Sequence, residues 1–289
     1  MNKELTIVFS SYASDKLLEK ILKRIDKEFK TIIIENSLNK KIKLHLESKF
    51  KNVTVIIPKQ NLGLAKSYNL GIKKSKTKYI FLNNPDIEIK NDSIKKLLFY
   101  AKKIKNLGIL SPTYKVEKIY KNYSVNNKKN NKVIKSLKNL KLREVDLIDN
   151  NFLIKKNNLK KVLFDENFFL YFETLDFCSN LKKNGKKLYV SKNIKFHHFG
   201  SKSIPSQYNN LVKKTRSFHY VWSKFYFYKK NYNFLFALRK TIPNLIRSIK
   251  KIIINFLSLN FLEVKYNFLE LFGLVCSIIN INSFYRPKN

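Results

Sequence analysis

Strand-like and helical segments alternate through the first hundred residues, and this alternation constrains the fold more than any other feature of the chain. The helical segments carry apolar residues at the spacing of one helix face. Alternation of this kind is typical of βαβ units and a parallel sheet. It predicts an α/β fold, with a Rossmann-like, mostly parallel sheet covered by helices on both faces. The predicted strands are residues 5–11, 31–37, 53–58 and 79–82.

The rest of the chain is predicted to complete the sheet and then to become helical. Residues 115–142 are polar and are expected to form a mobile loop. From residue 207 the pattern is mostly helical, with Pro243 expected to break it once. The other expected elements are a helix over 92–106 with Asn91 or Asp92 as its N-cap, strands over 109–114, 145–154, 187–191 and 194–196, and a helix that begins within 164–178 and ends at Gly185.

The chain is strongly basic. Lysine and arginine number 59 against 20 aspartates and glutamates, which gives a formal net charge of +39. Such an excess suggests an anionic partner, such as nucleic acid, acidic lipid or a phosphorylated small molecule. The lysines are spread over the whole length among many asparagines and isoleucines, a pattern that A/T-rich codons would produce. The charge is therefore weak evidence for a nucleic-acid site, and no specific nucleic-acid partner is predicted.

Cysteine usage and hydropathy indicate a reducing, cytoplasmic location. Cys178 and Cys276 are far apart and belong to no pairing motif, so no disulfide framework is expected. The N-terminus leads directly into a strand-like run, which predicts no signal peptide. No uncharged apolar run reaches the roughly 20 residues that a membrane-spanning helix needs.

The fourth predicted strand ends in a turn that carries a carboxylate. Asn83, Asn84 and Pro85 stop the apolar run, because proline cannot donate to a sheet ladder and asparagine favours turns. Asp86 is thereby placed just past a strand end, where α/β sheets bind ligands. Taken by itself, the segment also fits an ordinary solvated turn. The residues that end the strands are expected to line one edge of the sheet, and they are Ser11, Glu35, Gln60 and Asn84.

Five short motifs follow one another along the chain. They are Glu35-Asn-Ser37, Asn61-Leu-Gly-Leu-Ala with Asn69 and Gly71, Leu82-Asn-Asn-Pro-Asp86, Phe164-Asp-Glu-x-Phe-Phe-x-Tyr-x-Glu-x-x-Asp-x-Cys178, and His198-Phe-Gly-Ser-Lys-Ser203. Together they resemble the family 2 glycosyltransferases of the rhamnosyltransferase-like type, over residues 5 to about 203. The resemblance implies a GT-A fold, a nucleotide-diphosphate sugar donor, a divalent cation (Mg²⁺ or Mn²⁺), and inversion of the anomeric centre in a single displacement.

The resemblance implies a cation site at the end of the fourth strand. A diphosphate leaving group needs its growing charge neutralised, and carboxylate oxygens hold the hard cations that do this. Asp86 is the implied ligand, since Asn84-Pro-Asp stands where other family members have Asp-x-Asp. His198 is a further candidate ligand. Glu88 faces the same side as Asp86 if the chain stays extended, and is a possible helper.

The resemblance also assigns a set of residues to the nucleotide sugar. Glu35 is expected to accept hydrogen bonds from the base or ribose. Ser11 and Tyr12 are expected to offer backbone groups and a ring to the base. Lys66 faces a phosphate or is simply solvated, and the helix N-terminus after Gly63 favours anions. The full set is Ser11, Tyr12, Glu35, Asn61, Gly63, Lys66 and Asn84.

An acidic pair supplies the candidates for the acceptor side. The attacking hydroxyl must lose a proton, and a carboxylate is the usual general base. Glu173 and Asp176 are three residues apart and share one face of a helix. Thr174 stands where the family usually has its catalytic aspartate, so either Glu173 or Asp176 takes that role, or the activity is altered. The alternative is that the pair only caps the helix.

These assignments divide the chain into a catalytic domain over 1–205 and a helical extension over 206–289. The donor half of the catalytic domain is expected at 1–114 and the acceptor half at 142–205. The extension mixes aromatic and basic residues. It is either a helical subdomain or an interfacial segment on an anionic membrane surface.

The predicted function is sugar transfer to a glycan or lipid-linked acceptor in cell-surface polysaccharide synthesis, with rhamnose from its dTDP donor as the best single guess. The expected location is cytoplasmic, peripheral on the inner face of the membrane. Two other classes stay open. One is a catalytically inactive scaffold that binds membrane or glycan, suggested by Thr174, and the other is a basic nucleic-acid-binding protein, suggested by the charge.

Overall fold

A computed structural model describes residues 2–115, 122–124, 140–159, 162–198 and 203–286. Within these residues the chain forms two compact units. The first comprises Met1–Leu62, Lys66–Phe164 and Phe177–Ile204, and the second comprises Gly63–Ala65, Asp165–Asp176 and Pro205–Asn289. Most of the predicted loop over 115–142, and residues 199–202 of the last motif, lie outside the described residues.

The described elements alternate as the pattern predicts in the first half of the chain. The strands are β1 (Asn2–Ser11), β2 (Phe29–Glu35), β3 (Val53–Ile56), β4 (Tyr79–Asn83), β5 (Ile87–Glu88), β6 (Leu107–Lys115), β7 (Tyr123–Ser124), β8 (Leu142–Val145), β9 (Leu147–Ile148), β10 (Phe152–Lys155) and β11 (Lys187–His198). The helices are α1 (Asp15–Leu22), α2 (Lys40–Lys49), α3 (Gly63–Lys74), α4 (Asn91–Lys102), α5 (Lys156–Leu159), α6 (Glu173–Lys183), α7 (Asn209–Asn231), α8 (Phe234–Leu257) and α9 (Phe261–Ile278).

One large sheet forms the core of the first unit, in the order β3-β2-β1-β4-β10-β6-β11-β5, with β8 paired to β11. β1 pairs in parallel with both β2 and β4, so that Ser11 lies opposite Glu35 and Phe9 lies opposite Asn83. The carboxyl ends of these strands therefore meet at one edge. β2 and β4 are buried along almost their whole length, as strands covered on both faces must be. The predicted α/β fold class with a helical C-terminal region is confirmed.

Two strand predictions are wrong in detail. The run over 145–154 is not one strand, because Asn151 adopts a left-handed conformation (φ 54°) that separates β9 from β10. β10 then inserts antiparallel between β4 and β6. The runs over 187–191 and 194–196 form a single strand, β11, with an irregular register between Ser191 and Lys195.

Two helix predictions are also corrected. The N-cap of α4 is Lys90, and the Asn91 side chain instead accepts a hydrogen bond of 2.8 Å from the backbone N–H of Asp26. Pro243 lies inside α8 and does not break it. Buried residues flank the proline along that helix, including Ala237 and Ser248, and their packing stabilises the helix on both sides.

The second unit is built mainly from α7, α8 and α9. Val221 and Phe225 of α7 pack with Ala237 of α8 and Leu274 of α9 in one apolar cluster. Gly273 allows α9 to approach α7, because a Cβ at this position would lie 2.3 Å from the carbonyl oxygen of Phe218. Among the helices described, none is both long enough and apolar enough to cross a bilayer.

Gly71 gives a direct test of the packing between α3 and the sheet. A Cβ at Gly71 would lie 2.3 Å from Cγ1 of Val8, in the middle of β1. We expect Gly71→Ala to destabilise the fold by about 1–3 kcal/mol, because the added methyl group overpacks a filled site. Denaturant midpoints measure the loss, and Lys73→Ala, an exposed change on the same helix, is the control. Equal midpoints for the two variants would contradict this packing.

Candidate functional site

Glu35 organises the carboxyl ends of β1 and β2. Its carboxylate is fully buried. Oε2 accepts a hydrogen bond of 2.7 Å from the Ser11 hydroxyl, and Oε1 accepts bonds of 2.9 Å from the backbone N–H groups of Ala13 and Ser37. Three donors compensate the burial of this charge. Glu35 thus shapes the loop that carries the half-buried Tyr12, and its own contact with a nucleotide stays a prediction.

Asn36 is a site-forming residue that the sequence predictions missed. It is buried, its Oδ1 accepts a 2.9 Å bond from the backbone N–H of Leu62, and its Nδ2 donates to the Ser67 hydroxyl at 3.0 Å. These bonds connect the end of β2 to the segment that opens α3. In the sequence, the position of Asn36 beside Glu35 in the first motif was the one feature that could have indicated this role.

Gly63 is required by a close backbone contact within the second unit. Its φ is +71°, and a Cβ there would lie 2.3 Å from the carbonyl oxygen of Phe169. The same carbonyl accepts a 2.8 Å hydrogen bond from the backbone N–H of Leu64. The glycine is therefore explained without a ligand. Asn61 and Lys66, on either side in sequence, are half-buried, and their binding of a nucleotide sugar stays a prediction.

The turn after β4 is held rigidly by its asparagines. The backbone N–H of Ile87 donates to the carbonyl of Asn84 at 3.2 Å, which closes a turn with Pro85 at its second position. The Asn83 amide donates to the same carbonyl at 3.0 Å. Asn84 in turn accepts a 2.7 Å bond from the Tyr68 hydroxyl. Proline and these side-chain bonds together fix the direction in which the next residue projects.

That next residue is Asp86, and the structure brings it to His198. Oδ2 of Asp86 lies 3.4 Å from Nε2 of His198, because β11 pairs antiparallel with β5 and sets His198 opposite Ile87. The His198 ring stacks on Tyr114, with centroids 5.4 Å apart and planes 6° from parallel. Asp86 is buried, yet its Oδ1 has no hydrogen-bond partner among the described residues.

Burying a carboxylate oxygen without a hydrogen-bond donor costs free energy, unless a ligand binds to that oxygen. A carboxylate oxygen beside an imidazole nitrogen suits Mg²⁺ or Mn²⁺. Over the described ranges, no group of three or more His, Cys, Asp or Glu residues could hold a metal alone. The pair therefore fits a cation that takes its remaining ligands from elsewhere. Glu88 does not help, since its carboxylate forms an ion pair with Arg24.

In the second unit, Asp176 is held by a buried ion pair. It is fully buried, its Oδ2 lies 2.7 Å from the ammonium of Lys230, and its Oδ1 accepts a 3.0 Å bond from the amide of Asn231. Both oxygens are thus bound by α7, which suits a structural carboxylate better than a general base.

Lys230 also lies 2.7 Å from Asp165. Burial acts to raise the pKa of the Asp165 carboxyl. The hydrogen bonds that the carboxylate accepts, of which the one from Lys230 has the largest effect, nevertheless hold this pKa below its ordinary value.

Glu173 is the first residue of α6 and is also buried. Thr174 lies close to it, with its hydroxyl 3.4 Å from Oε1. The two preceding residues, Tyr171 and Phe172, both have left-handed backbones, with φ of 69° and 63°. Two consecutive non-glycine residues in this region store strain, which tends to occur at functional sites. The strained turn sets the direction from which Glu173 enters the helix.

Comparison with known proteins identifies the class of this chain. A family model described as "Glycosyl transferase family 2" matches residues 10–163, more than half of the chain. No curated protein matches. The match begins at the end of β1 and runs past β10, and it therefore includes the turn that carries Asp86.

Solved structures resemble the fold at low sequence identity. One is GalNAc-T7 with UDP, GalNAc and Mn²⁺, with 13% identity and a TM-score of 0.57 over 78% of this chain and 50% of that chain. A second is the mannosyltransferase PcManGT from Pyrobaculum calidifontis with GDP-Man and Mn²⁺, with 9% identity and a TM-score of 0.56 over 94% and 87%. A third is S. aureus TarS, with 16% identity and a TM-score of 0.50 over 74% and 39%. The chain thus spans half or less of the first and third proteins.

Asp86 makes a prediction that separates stability from binding. Asp86→Asn removes a buried charge with an unsatisfied oxygen, so we expect the protein alone to be as stable as the native protein or more stable, by up to about 1–3 kcal/mol. Mn²⁺ with UDP, dTDP or GDP should raise the melting temperature of the native protein but not that of Asp86→Asn. Glu88→Gln, whose native partner is Arg24, should keep that rise. Persistence of the rise in Asp86→Asn would place the cation elsewhere.

Substitution of Lys230 tests how strongly its ion pair with Asp176 stabilises the second unit. Lys230→Met leaves the buried Asp176 without its ammonium partner, which should cost about 3–5 kcal/mol of unfolding free energy. Lys213→Met, which breaks an exposed ion pair with Glu263 in the same unit, should cost less than about 1 kcal/mol. Chemical denaturation of the two variants measures the difference. Similar losses would mean that the Asp176 pair is not energetically important.

Proposed function

This chain belongs to glycosyl transferase family 2, and we propose that it is an inverting glycosyltransferase that moves a sugar from a nucleotide-diphosphate donor to a glycan or lipid-linked acceptor. The single observation that carries the proposal is the unsatisfied oxygen of Asp86 beside His198, at the edge where β1, β2 and β4 end. Ligands of α/β folds bind beyond this edge of the sheet.

The donor site is proposed to include the loop after β1 and the turn after β4. Ser11 and Tyr12 face the base, and Glu35 acts on them by holding the loop through its three hydrogen bonds. Asn84 orients the turn, while Asn61, Gly63 and Lys66 are proposed to lie against the diphosphate sugar. Asp86 and His198 would hold Mg²⁺ or Mn²⁺, which when bound neutralises charge on the departing diphosphate.

The acceptor hydroxyl is proposed to lose its proton to Glu173. As the acceptor oxygen bonds to the anomeric carbon, the bond from that carbon to the diphosphate breaks, and the proton passes to a Glu173 carboxylate oxygen. Asp176 is a poor second candidate, since Lys230 and Asn231 bind both of its oxygens. Asp176 is instead proposed to stabilise α6, the helix that Glu173 begins.

The finer identity of the substrates rests on the motif resemblance. Rhamnose from dTDP-rhamnose is the donor proposed, and a lipid-linked glycan of the cell surface is the acceptor proposed. A lipid-linked acceptor places the enzyme at the cytoplasmic face of a membrane. The aromatic and basic helices of the second unit support this location.

Substitution of Glu173 tests the proposed mechanism. We expect Glu173→Gln to lower turnover of the active donor about a hundredfold or more, with the KM for the donor unchanged, because the amide cannot accept the proton. Release of nucleoside diphosphate from a panel of dTDP-, UDP- and GDP-sugars measures it. Thr174→Ala is the matched control and should keep its turnover. Full activity of Glu173→Gln would remove Glu173 as the base, and no turnover with any donor would favour an inactive scaffold.

A further inference from the structure

The turn between α8 and α9 exposes an unusual amount of apolar surface. Residues 252–262, here called the hairpin tip, contain eight apolar residues and no charged one. Leu257 is 76% exposed, Leu259 is 73% exposed and Phe256 is 59% exposed. Leaving such side chains in water forgoes the free energy that their burial would yield. A contiguous exposed patch of this kind marks an interaction surface.

The backbone of the hairpin tip adds an independent observation. α8 ends in a Schellman motif, in which the N–H of Asn260 donates to Asn255 at 2.8 Å and the N–H of Leu259 donates to Phe256 at 3.0 Å. This motif puts Leu259 in the left-handed region, with φ of 55°. Glycine is preferred there because it has no Cβ to be strained, and asparagine because its short polar side chain can form local hydrogen bonds.

Two other helices of the chain follow that preference. α6 ends with Gly185 at the left-handed position (φ 69°), and α9 ends with Asn280 (φ 62°). α8 alone of these three carries a large apolar residue at this position, and that residue is exposed. Neither backbone preference nor burial within the protein accounts for Leu259.

The surroundings of the hairpin tip indicate the charge of its partner. Residues 234–262 contain five basic residues and no acidic residue. Lys250 and Lys251 are exposed and directly precede the hairpin tip. Exposed apolar residues also recur along one side of α8 at roughly helical spacing toward the hairpin tip, and they are Leu235, Ile242, Ile246, Ile249 and Ile253. An apolar stripe edged by lysines is typical of helices that bind anionic lipid surfaces.

We propose that the hairpin tip inserts into one leaflet of an anionic membrane, with Lys250 and Lys251 at the lipid phosphates. The proposal deepens the proposed function, since it names the surface that would meet a lipid-linked acceptor. The rise from residue 252 to residue 257 along α8 is about 8 Å. That length matches the roughly 5–10 Å depth of interfacial insertion and falls far short of the roughly 30 Å bilayer core.

A second copy of the chain is a weaker candidate for this surface. A two-fold dimer through the hairpin tip would place the same patch of both copies face to face. Lys250 and Lys251 of one copy would then lie near those of the other. The acidic residues that follow the hairpin tip on α9, Glu263 and Glu270, are already paired with Lys213 and Arg247. Lipid phosphates supply the missing negative charge.

Vesicle flotation of the full chain tests the proposal. The native protein should float with vesicles of mixed phosphatidylcholine and phosphatidylglycerol, and much less with pure phosphatidylcholine. Phe256→Ser with Leu257→Ser should weaken binding about a hundredfold, at roughly a tenfold loss for each of the two large apolar groups withdrawn from lipid. Lys250→Ala with Lys251→Ala should lose about fivefold per lysine, and only with the anionic vesicles. Leu44→Ser with Phe99→Ser, exposed apolar residues of the first unit, is the matched control and should bind normally.

Leu259→Asn gives a sharper test of the same proposal. Asparagine suits the left-handed position, so this variant should melt at a higher temperature in solution while binding vesicles more weakly. Equal vesicle binding by all variants would overturn the proposal. A concentration-dependent dimer that the hairpin-tip variants abolish, with no vesicle binding, would also overturn it, in favour of a second copy.

Donor turnover keeps this test separate from that of the proposed function. The hairpin-tip variants should retain native turnover with a water-soluble acceptor, because none of the changed residues is assigned to the donor or acceptor site. If no donor is turned over but vesicle binding follows the expected pattern, sugar transfer fails and membrane docking stands. If turnover is normal and vesicles are not bound, membrane docking fails and sugar transfer stands.

Discussion

The parallel pairing of β1 with both β2 and β4 is the constraint on which the first unit depends. It aligns Ser11 with Glu35 and Phe9 with Asn83, so that three strands end together. Parallel strands buried on both faces are mostly apolar, with Thr6 and Thr31 as buried exceptions here, so polar side chains concentrate where the strands stop. The loops that follow therefore collect the polar groups at one edge. Glu35, Asn36 and the turn before Asp86 all owe their positions to this pairing.

Three buried carboxylates differ in how the protein compensates their charge. Glu35 accepts three hydrogen bonds from its own unit, and Asp176 is bound by an ammonium and an amide. Asp86 has a histidine at 3.4 Å and an oxygen with no donor among the described residues. Burial of charge is tolerated only when it is compensated. Of these three carboxylates, Asp86 is the one with an oxygen that a ligand would complete.

The helices of the second unit serve two different purposes. α7 supplies partners for two carboxylates that precede or begin α6. Its Tyr226 and Lys230 bind Asp165. Lys230 and Asn231 bind Asp176. α7 thus supplies much of the compensation for these two carboxylates. α8 and α9 complete the core of the unit with one face and expose the apolar hairpin tip. The C-terminal helices therefore hold the carboxylates of Asp165 and Asp176 and also present a candidate membrane contact.

Sequence alone determined the order of strands and helices in the first half, the class of fold, and that Ser11 and Glu35 end their strands. It did so because hydrophobic periodicity and turn residues such as Pro85 act locally. Gln60, expected to end the third strand, lies four residues beyond the end of β3. Tertiary structure alone decided what each polar residue contacts. Asp86 meets His198 through the pairing of β11 with β5, Asp176 is paired with α7, and Gly63 is required by its left-handed backbone and by the approach of Phe169. Those contacts join residues far apart in the chain, and local patterns carry no information about which distant group satisfies a buried charge or a close approach.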